Sequence, residues 1–468
     1  MLIGLLTVVL IGDLSFSYLQ YLNTPIDGDF TGGVLPSEEV RVILDDPLGW
    51  AVLGGGAHAN PNRYFCHAAF YYYFNRVPLL LQHFMGPVAS LYHASAIAKL
   101  FTKLGLLVVM GVALVGRPAR KFTVFLGGIC LMVPLFQANG YRSYMGVIDP
   151  AVTYTFFYAL PLLWLLVYFL PLFLARYHGR ALGGSMCWAK YLWWPLSVVV
   201  ALSGALNPGI ALIVVALFGT DALLRGRRRG VGVRLLLADL EKRELFYLLP
   251  ITVASVYSLY VGTHDTIGNA YDVPLTTRYA LLPHGIFDTL TAKIGYPLLI
   301  VGVVVNRLLL RAYDDRAAQK LKTLAGWFAA FCLLYLLLLP LGGYRPYRPG
   351  IVRYDTIMPI TLGLIYLFAA SSVSLLQTYR ATPLRAYVLG LLVFSCVFWN
   401  ADRGELERDD CQRTALLRLS RAGVGVIKIE QDCNVLFWAP IRDPRQSELN
   451  AELLRKLRVT SGRVLYFQ

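Results

Sequence analysis

The chain has 468 residues, 57% of them hydrophobic and only 15% charged, with a mean hydropathy of +0.56. A soluble protein carries about a quarter charged residues, so these values exclude a soluble globular protein and indicate a polytopic integral membrane protein. The net charge of +15 would suggest nucleic acid in a soluble chain; here it is expected in alternate loops, and no nucleic-acid partner is expected.

The N-terminal stretch MLIGLLTVVLIGDLSF lacks a basic n-region and a small-x-small cleavage site, so residues 2–22 are expected as a retained first span. Asp13 interrupts that span and must face protein or water, in a structural hydrogen bond or in a role in mechanism. A spanning helix needs roughly 20 mostly apolar residues. By that criterion about eleven spans are expected, near 2–22, 97–116, 122–137, 151–175, 191–206, 208–224, 246–262, 296–311, 323–341, 355–374 and 386–400. The pair 191–206 and 208–224 is short, and GALNPG between them reads as a broken or re-entrant element.

Loop charge sets the orientation. Segments 117–121 (RPARK), 176–190, 224–245 (with RGRRRG), 307–322 and 379–385 hold 20 Lys and Arg in 65 residues. The long loop 23–95 holds three in 73, with six acids. Positive charge collects on the cytoplasmic side, so the N-terminus is expected inside and the C-terminus outside. The long first loop is too apolar for a simple connection. SEEVRVILDDPLGWAVL and NRYFCHAAFYYYFNRVPLLLQHFMGPVASLYHASAIAKL within it read as interfacial helices against membrane lipids.

After the last span, residues 401–462 turn polar and read as a small external α/β domain. VGVIKIE and NVLFW are expected as strands and SELNAELLRKLRV as a helix. Cys411 and Cys433 form a disulfide in an oxidising compartment or remain two free thiols. The final VLYFQ resembles the remnant of an engineered protease site, and 463–468 are set apart from the functional reading. The fold class expected is thus an all-α polytopic membrane protein (residues 1–400) with a small α/β external C-terminal domain.

Several constellations could carry chemistry. Asp27-Gly28-Asp29 follows the first span directly; a carboxylate beside glycine suits a general base or a divalent-ion ligand, and a solvated turn is the alternative. Tyr344-Arg345-Pro346-Tyr347-Arg348-Pro349, followed by Arg353 and Asp355, clusters three arginines where positive charge is otherwise scarce. Their planar forks suit the phosphate of a lipid-linked substrate, or else anchor the loop at headgroups. Lys99 and Lys103, four apart on one helix face, either snorkel to headgroups or meet a phosphate. Arg142, Asp149, His264, Asp265 and Asp272 are further candidates for the same cavity, each open to a structural role. The four histidines of the first loop, His58, His67, His83 and His93, match no metal spacing. Seven scattered cysteines form no CxxC pair, so no confident metal site is expected. Walker A and dinucleotide fingerprints are missing from the sequence, which disfavours an ATP-driven pump or a nucleotide-sugar enzyme.

The order of these features resembles the C-type glycosyltransferase superfamily: a first span followed at once by Asp27-Gly28-Asp29, a long first external loop over 36–95, many spans with short broken helices, and a C-terminal external domain. The resemblance implies sugar transfer, with inversion, from a polyprenyl-phosphate-linked donor to a glycan, lipid or protein acceptor on the outer face of a bacterial inner (plasma) membrane. It makes Asp27 or Asp29 the general base, or the ligand of a divalent cation (Mg or Mn) as in some relatives. Arg345, Arg348 or Arg353, with Tyr344 and Tyr347 beside them, would hold the leaving phosphate. The small C-terminal domain departs from the pattern. An O-antigen polymerase- or ligase-like enzyme and a non-catalytic flippase or transporter of lipid-linked glycans are the alternatives.

Overall fold

The computed structural model describes every residue except 57, 137–140, 142–145, 183–188, 229–241, 268–270, 349 and 402–409. Part of the basic 224–245 segment therefore lies outside the described residues. Among the described residues nine helices are long and apolar enough to cross a membrane: Leu2–Leu22, Pro87–Val115, Val152–His178, Asn207–Arg225, Glu244–Gly262, Gly295–Ala312, Arg316–Gly342, Met358–Thr378 and Ala381–Ala401. Their inward faces share one large apolar core running from Tyr21 to Phe398. Outward faces are left apolar: Leu5, Val8 and Ile11 of the first helix are all more than half exposed. In water that surface would be costly; against lipid it is not. The chain is a multi-pass helical membrane protein.

Two of the eleven expected spans are shorter than a membrane crossing. Phe122–Phe136 ends in a 3-10 turn, and Trp193–Ala201 has only nine residues. The break expected at GALNPG is present: one helix stops at Ala201 and the next begins at Asn207. The Asn207 side-chain amide donates to the carbonyls of Pro161 and Val200 and so bridges the gap.

The second long span begins at Pro87, ten residues before its expected start, with Gly86 as the extended N-cap and proline in the first helical position. Lys99 and Lys103 do not snorkel; both are fully buried. Lys103 Nζ donates to Asp13 Oδ1 at 2.9 Å and to Ser17 Oγ at 2.8 Å, while Trp399 Nε1 donates to Asp13 Oδ2 at 3.0 Å. The ionisable group in the first span is thus answered by one on the second and an indole from the last. Removing one partner of such a buried pair costs about 3–5 kcal/mol, because the other is left uncompensated. The two lysines, expected to snorkel to headgroups or meet a phosphate, are instead satisfied inside the helix bundle.

The first loop contains short helices at Phe30–Val34, Glu38–Asp45, Tyr64–Phe74 and Val77–Leu81. A helix at Leu275–Thr291, not expected from the sequence, lies in the 263–295 connection. The described part of the C-terminal segment carries helices Asp410–Ser420 and Glu448–Lys456. It also has two parallel strands, β1 (Gly425–Lys428) and β2 (Val464–Phe467), paired from Gly425↔Val464 to Lys428↔Phe467. Residues 463–468, set apart in the sequence as resembling the remnant of a protease site, include β2. Val464 and Tyr466 are fully buried, and the Gln468 amide donates to the Gln431 and Cys433 carbonyls. NVLFW is likewise not a strand; it is an irregular stretch that ends in Trp438. Cys411 and Cys433 form a disulfide.

This C-terminal segment docks on the first loop. Leu416, Leu453, Leu454 and Tyr466 share one apolar core with Ile26, Phe30, Phe70 and Phe74. Gln412 fastens the contact: its side chain accepts from the Ile26 N–H at 2.8 Å and from the Tyr92 hydroxyl at 3.0 Å, and donates to the Ile26 carbonyl at 3.0 Å. The turn holding Asp27-Gly28-Asp29 is therefore clamped between the first span and the end of the chain.

Candidate functional site

The two aspartates of the acidic motif have different surroundings. Asp27 is buried. Its Oδ1 accepts from the Thr153 hydroxyl at 2.6 Å and the Asp29 N–H at 3.1 Å, and its Oδ2 accepts from the Thr153 N–H at 3.1 Å. Thr153 lies in the first turn of the Val152–His178 helix, so Asp27 supplies negative charge where that helix has unpaired N–H groups. Burial pushes the Asp27 carboxyl above its usual range, while the Thr153 hydrogen bonds pull the other way. That shift alone would suit a base. Geometry comes first, however, and three of its roughly four acceptor positions are already taken, two on Oδ1 and one on Oδ2. Asp29 is exposed, with Oδ1 taking a single hydrogen bond from Trp438 Nε1 at 2.9 Å.

Trp438 leads to the arginine loop. Its ring centroid is 6.3 Å from that of Tyr154, which stacks at 6.3 Å on Tyr354. Arg348 Nη1 donates to the Tyr154 hydroxyl at 2.7 Å, and Asp29 and Arg348 both act electrostatically on that hydroxyl. Residues about 320 apart in sequence thus meet around one tyrosine. Tyr154 owes its place to the start of its helix, where one turn, Thr155–Ala159, is wound as a π-helix. Such turns are rare and cluster at functional sites.

The three arginines of the loop do not act alike. Arg345 is bound by Asp265 Oδ2 and Asn60 Oδ1, both at 3.2 Å, and by the Tyr347 hydroxyl at 3.1 Å, which pins the loop to the 58–62 turn. Asp265 also accepts from the Asn60 and Ile267 N–H groups, so both residues read as structural. Arg353 forms a two-pronged pair with Asp355, at 2.9 and 2.6 Å. Burial pushes the Asp355 carboxyl up, but the Arg353 guanidinium outweighs it and holds it below the usual range. Arg348 has no carboxylate partner among the described residues; its guanidinium lies over the Tyr154 and Tyr347 rings. Tyr344 donates to the Arg348 carbonyl and so shapes the loop from within, while the Tyr347 ring is exposed.

Behind the site lies a buried polar layer. Lys99 Nζ donates to the Thr24 hydroxyl at 2.7 Å and to the Pro150 carbonyl. Asp149 Oδ1 accepts from the Ala151 N–H at 2.5 Å, and burial pushes its carboxyl up to about 8. These groups brace the acidic turn without facing solvent. His264 is exposed and packs on Tyr260, and Asp272 is exposed; neither contacts Asp29 or the arginine loop. Lys103 faces Asp13, away from the site, and Arg142 lies outside the described residues. The first-loop histidines are dispersed. His58 contacts Asp46 and the Ala59 carbonyl, His93 meets the Tyr18 hydroxyl, His83 is exposed, and His67 packs against Phe157. Burial pushes the His67 imidazole down to about 3, so it stays neutral.

Among the described residues no three His, Cys, Asp or Glu side chains stand close enough together to hold a metal ion. Asp27 already accepts three hydrogen bonds, two on Oδ1 and one on Oδ2, while Asp29 is exposed. Sequence reasoning missed Trp438 and Tyr154, an aromatic pair that carried no sequence signal. Against known protein families, curated proteins and solved structures, the chain matches none.

Proposed function

We propose that this protein is a membrane glycosyltransferase that moves a sugar from a polyprenyl-phosphate-linked donor to an acceptor hydroxyl at the outer face of the membrane. The observation that carries the reading is the meeting of an exposed carboxylate, Asp29, and a carboxylate-free arginine, Arg348, around Tyr154 and Trp438. Base and phosphate ligand are the two groups such a transfer requires. The acceptor hydroxyl oxygen bonds to the anomeric carbon as its proton passes to the Asp29 carboxylate. The bond from that carbon to the phosphate oxygen breaks, and its electron pair leaves with the phosphate, beside Arg348 and the Arg353–Asp355 pair. Attack opposite the leaving group inverts the anomeric centre.

The basic loops belong in the cytoplasm, which sets the N-terminus inside, the C-terminal segment outside and the site at the outer leaflet. Eleven membrane segments follow, with Phe122–Phe136 and Trp193–Ala201 as short ones. Trp50, Leu53, Leu80 and Phe84, each more than half exposed on the first loop, seat that loop among lipid headgroups and bring the polyprenyl chain beside the site. The Cys411–Cys433 disulfide fits an extracytoplasmic location.

The test uses purified protein in nanodiscs with a panel of polyprenyl-phosphate hexoses and pentoses, reading release of polyprenyl phosphate. Asp29→Asn should lower turnover by about 10²-fold or more while donor binding persists. Release at the unmodified rate would remove Asp29 from the role of base. A transporter, by contrast, would go on moving the labelled lipid across the bilayer in the Asp29→Asn variant.

A further inference from the structure

The helices Gly295–Leu309, Arg316–Leu338 and Met358–Thr378 meet around a cleft of about 300 Å³. Val303, Leu310 and Ala325 are among its apolar walls, and Arg307, Lys322 and Ser371 are its polar groups. The cleft lies at the other end of the bundle from Asp29. Thr153, which holds Asp27, stands at the start of the Val152–His178 helix, and Tyr177 stands at its end. Lys320, two residues before Lys322, donates to the Tyr177 carbonyl at 2.8 Å. Segment 307–322 carries five Lys and Arg against two acids.

Two features of the cleft call for an anionic amphiphile. The first is charge without a partner. Arg307 is exposed, and its guanidinium has no hydrogen bond or ion pair among the described residues. Lys322 Nζ spends one N–H on the Tyr313 carbonyl at 3.0 Å and keeps two others to donate. The two acids of the segment are engaged elsewhere: Asp315 accepts from the Ala318 N–H at 2.6 Å and Asp314 from the Gln319 amide at 3.0 Å. Ser371 donates to the Leu367 carbonyl at 2.6 Å and accepts from the Asn306 amide at 3.0 Å, so the polar capacity left in the cleft is cationic. The second feature is apolar. Val301, Val304, Val305 and Leu308 are each at least 44% exposed, and their spacing makes one stripe along the outer face of the helix that carries Arg307. Tyr313 packs edge-on against Tyr379 at 6.1 Å, the kind of aromatic pair that sits at headgroup level.

We propose that this cleft binds the headgroup of an anionic glycerophospholipid of the surrounding leaflet. Its phosphate lies between Arg307 and Lys322, and an acyl chain runs along the stripe from Leu308 to Val301. The planar fork of arginine and the point charge of lysine both suit phosphate oxygens. Basic pockets between membrane helices take anionic headgroups in this way. A zwitterionic lipid brings its own cation to the phosphate and gains less from two unpaired positive charges. Free phosphate matches the charges but has nothing to set against the apolar walls. The site is independent of the sugar-transfer reading, because it uses neither Asp29 nor the arginine loop.

Native mass spectrometry of the full chain in detergent, titrated with phosphatidylglycerol, phosphatidylcholine and glycerol 3-phosphate, tests it. The unmodified protein should bind phosphatidylglycerol about tenfold more tightly than phosphatidylcholine, and glycerol 3-phosphate at equal concentration should not displace it. Arg307→Gln combined with Lys322→Gln should remove that preference. Arg307→Gln alone, at an exposed position, should weaken phosphatidylglycerol about fivefold and decides the matter if the double variant misfolds. Ala325→Leu, which fills the cleft and leaves every charge in place, should weaken it to a similar degree. Arg120→Gln should change nothing; that arginine is exposed at the same end of the bundle, beside the Gly116 carbonyl turn that Arg180 holds, but lies outside the cleft. Equal affinity for the two lipids, or an equal loss in Arg120→Gln, overturns the site in favour of general surface charge. Full retention in Ala325→Leu overturns the cleft as its place. Displacement by glycerol 3-phosphate at equal concentration overturns the lipid source.

Discussion

Asp149 shows how far the surroundings of one residue outrun its identity. In the sequence it was a cavity candidate on the strength of being an acid in a loop. In the structure it is buried beside Lys99 and near Asp27 and Asp355, and its carboxyl titrates at about 8 because burial disfavours the charge. In the unfolded chain the same group titrates near about 3.9. Between those values the folded state holds a proton that the unfolded state releases. Its contribution to stability is therefore complete below about pH 4 and is lost as pH rises through about 8. Asp149→Asn, similar in shape and unable to ionise, should flatten the fall in melting temperature between pH 4 and 8. An unchanged slope in detergent-solubilised protein would assign that pH dependence elsewhere. Lys99, Lys103 and Asp13 teach the same lesson. The sequence set the lysines at headgroups or a phosphate and left Asp13 open, and only their partners decided that Lys103 and Asp13 bind helices together.

At the scale of elements, the acidic turn depends on a contact from the far end of the chain. A Cβ on Gly28 would stand 2.6 Å from both the Trp438 ring and the Trp438 backbone nitrogen. Main chain cannot step aside as a flexible side-chain tip can, so Gly28→Ala should push the 434–438 stretch away and free Asp29 from the indole. The expected result is a loss of polyprenyl-phosphate release together with a stability cost of about 1–3 kcal/mol. Gly32→Ala, with nothing within 4 Å, should change neither, and a harmless Gly28→Ala would contradict the clamp. The sequence did identify Asp27-Gly28-Asp29 and the 344–355 loop as the segments to watch. It left open which of the two aspartates would act as the base; in the structure Asp27 is hydrogen-bonded by Thr153, whereas Asp29 is exposed. Which carboxylate is capped depends on the start of a helix more than a hundred residues away, and no local pattern encodes that.

For the whole molecule, the division into a basic end and a site-bearing end makes a direct prediction. On intact cells a membrane-impermeant maleimide should label Asp272→Cys above the background of the native chain. Arg120→Cys should react only after permeabilisation; both positions are exposed. The opposite pattern would put the site in the cytoplasm and end the outer-leaflet mechanism. Hydropathy and charge alone determined that the chain is a helical membrane protein, roughly where its spans lie and where GALNPG breaks them. These are properties of twenty-residue windows, and the bilayer rewards each window almost independently of the others. What the sequence could not determine is which distant side chains share a contact. The meeting of Asp29, Trp438, Tyr154 and Arg348 and the place of β2 in the C-terminal core were decided only by tertiary structure. They arise from packing between segments hundreds of residues apart, where each polar group is satisfied by a partner that its own neighbours in sequence do not specify.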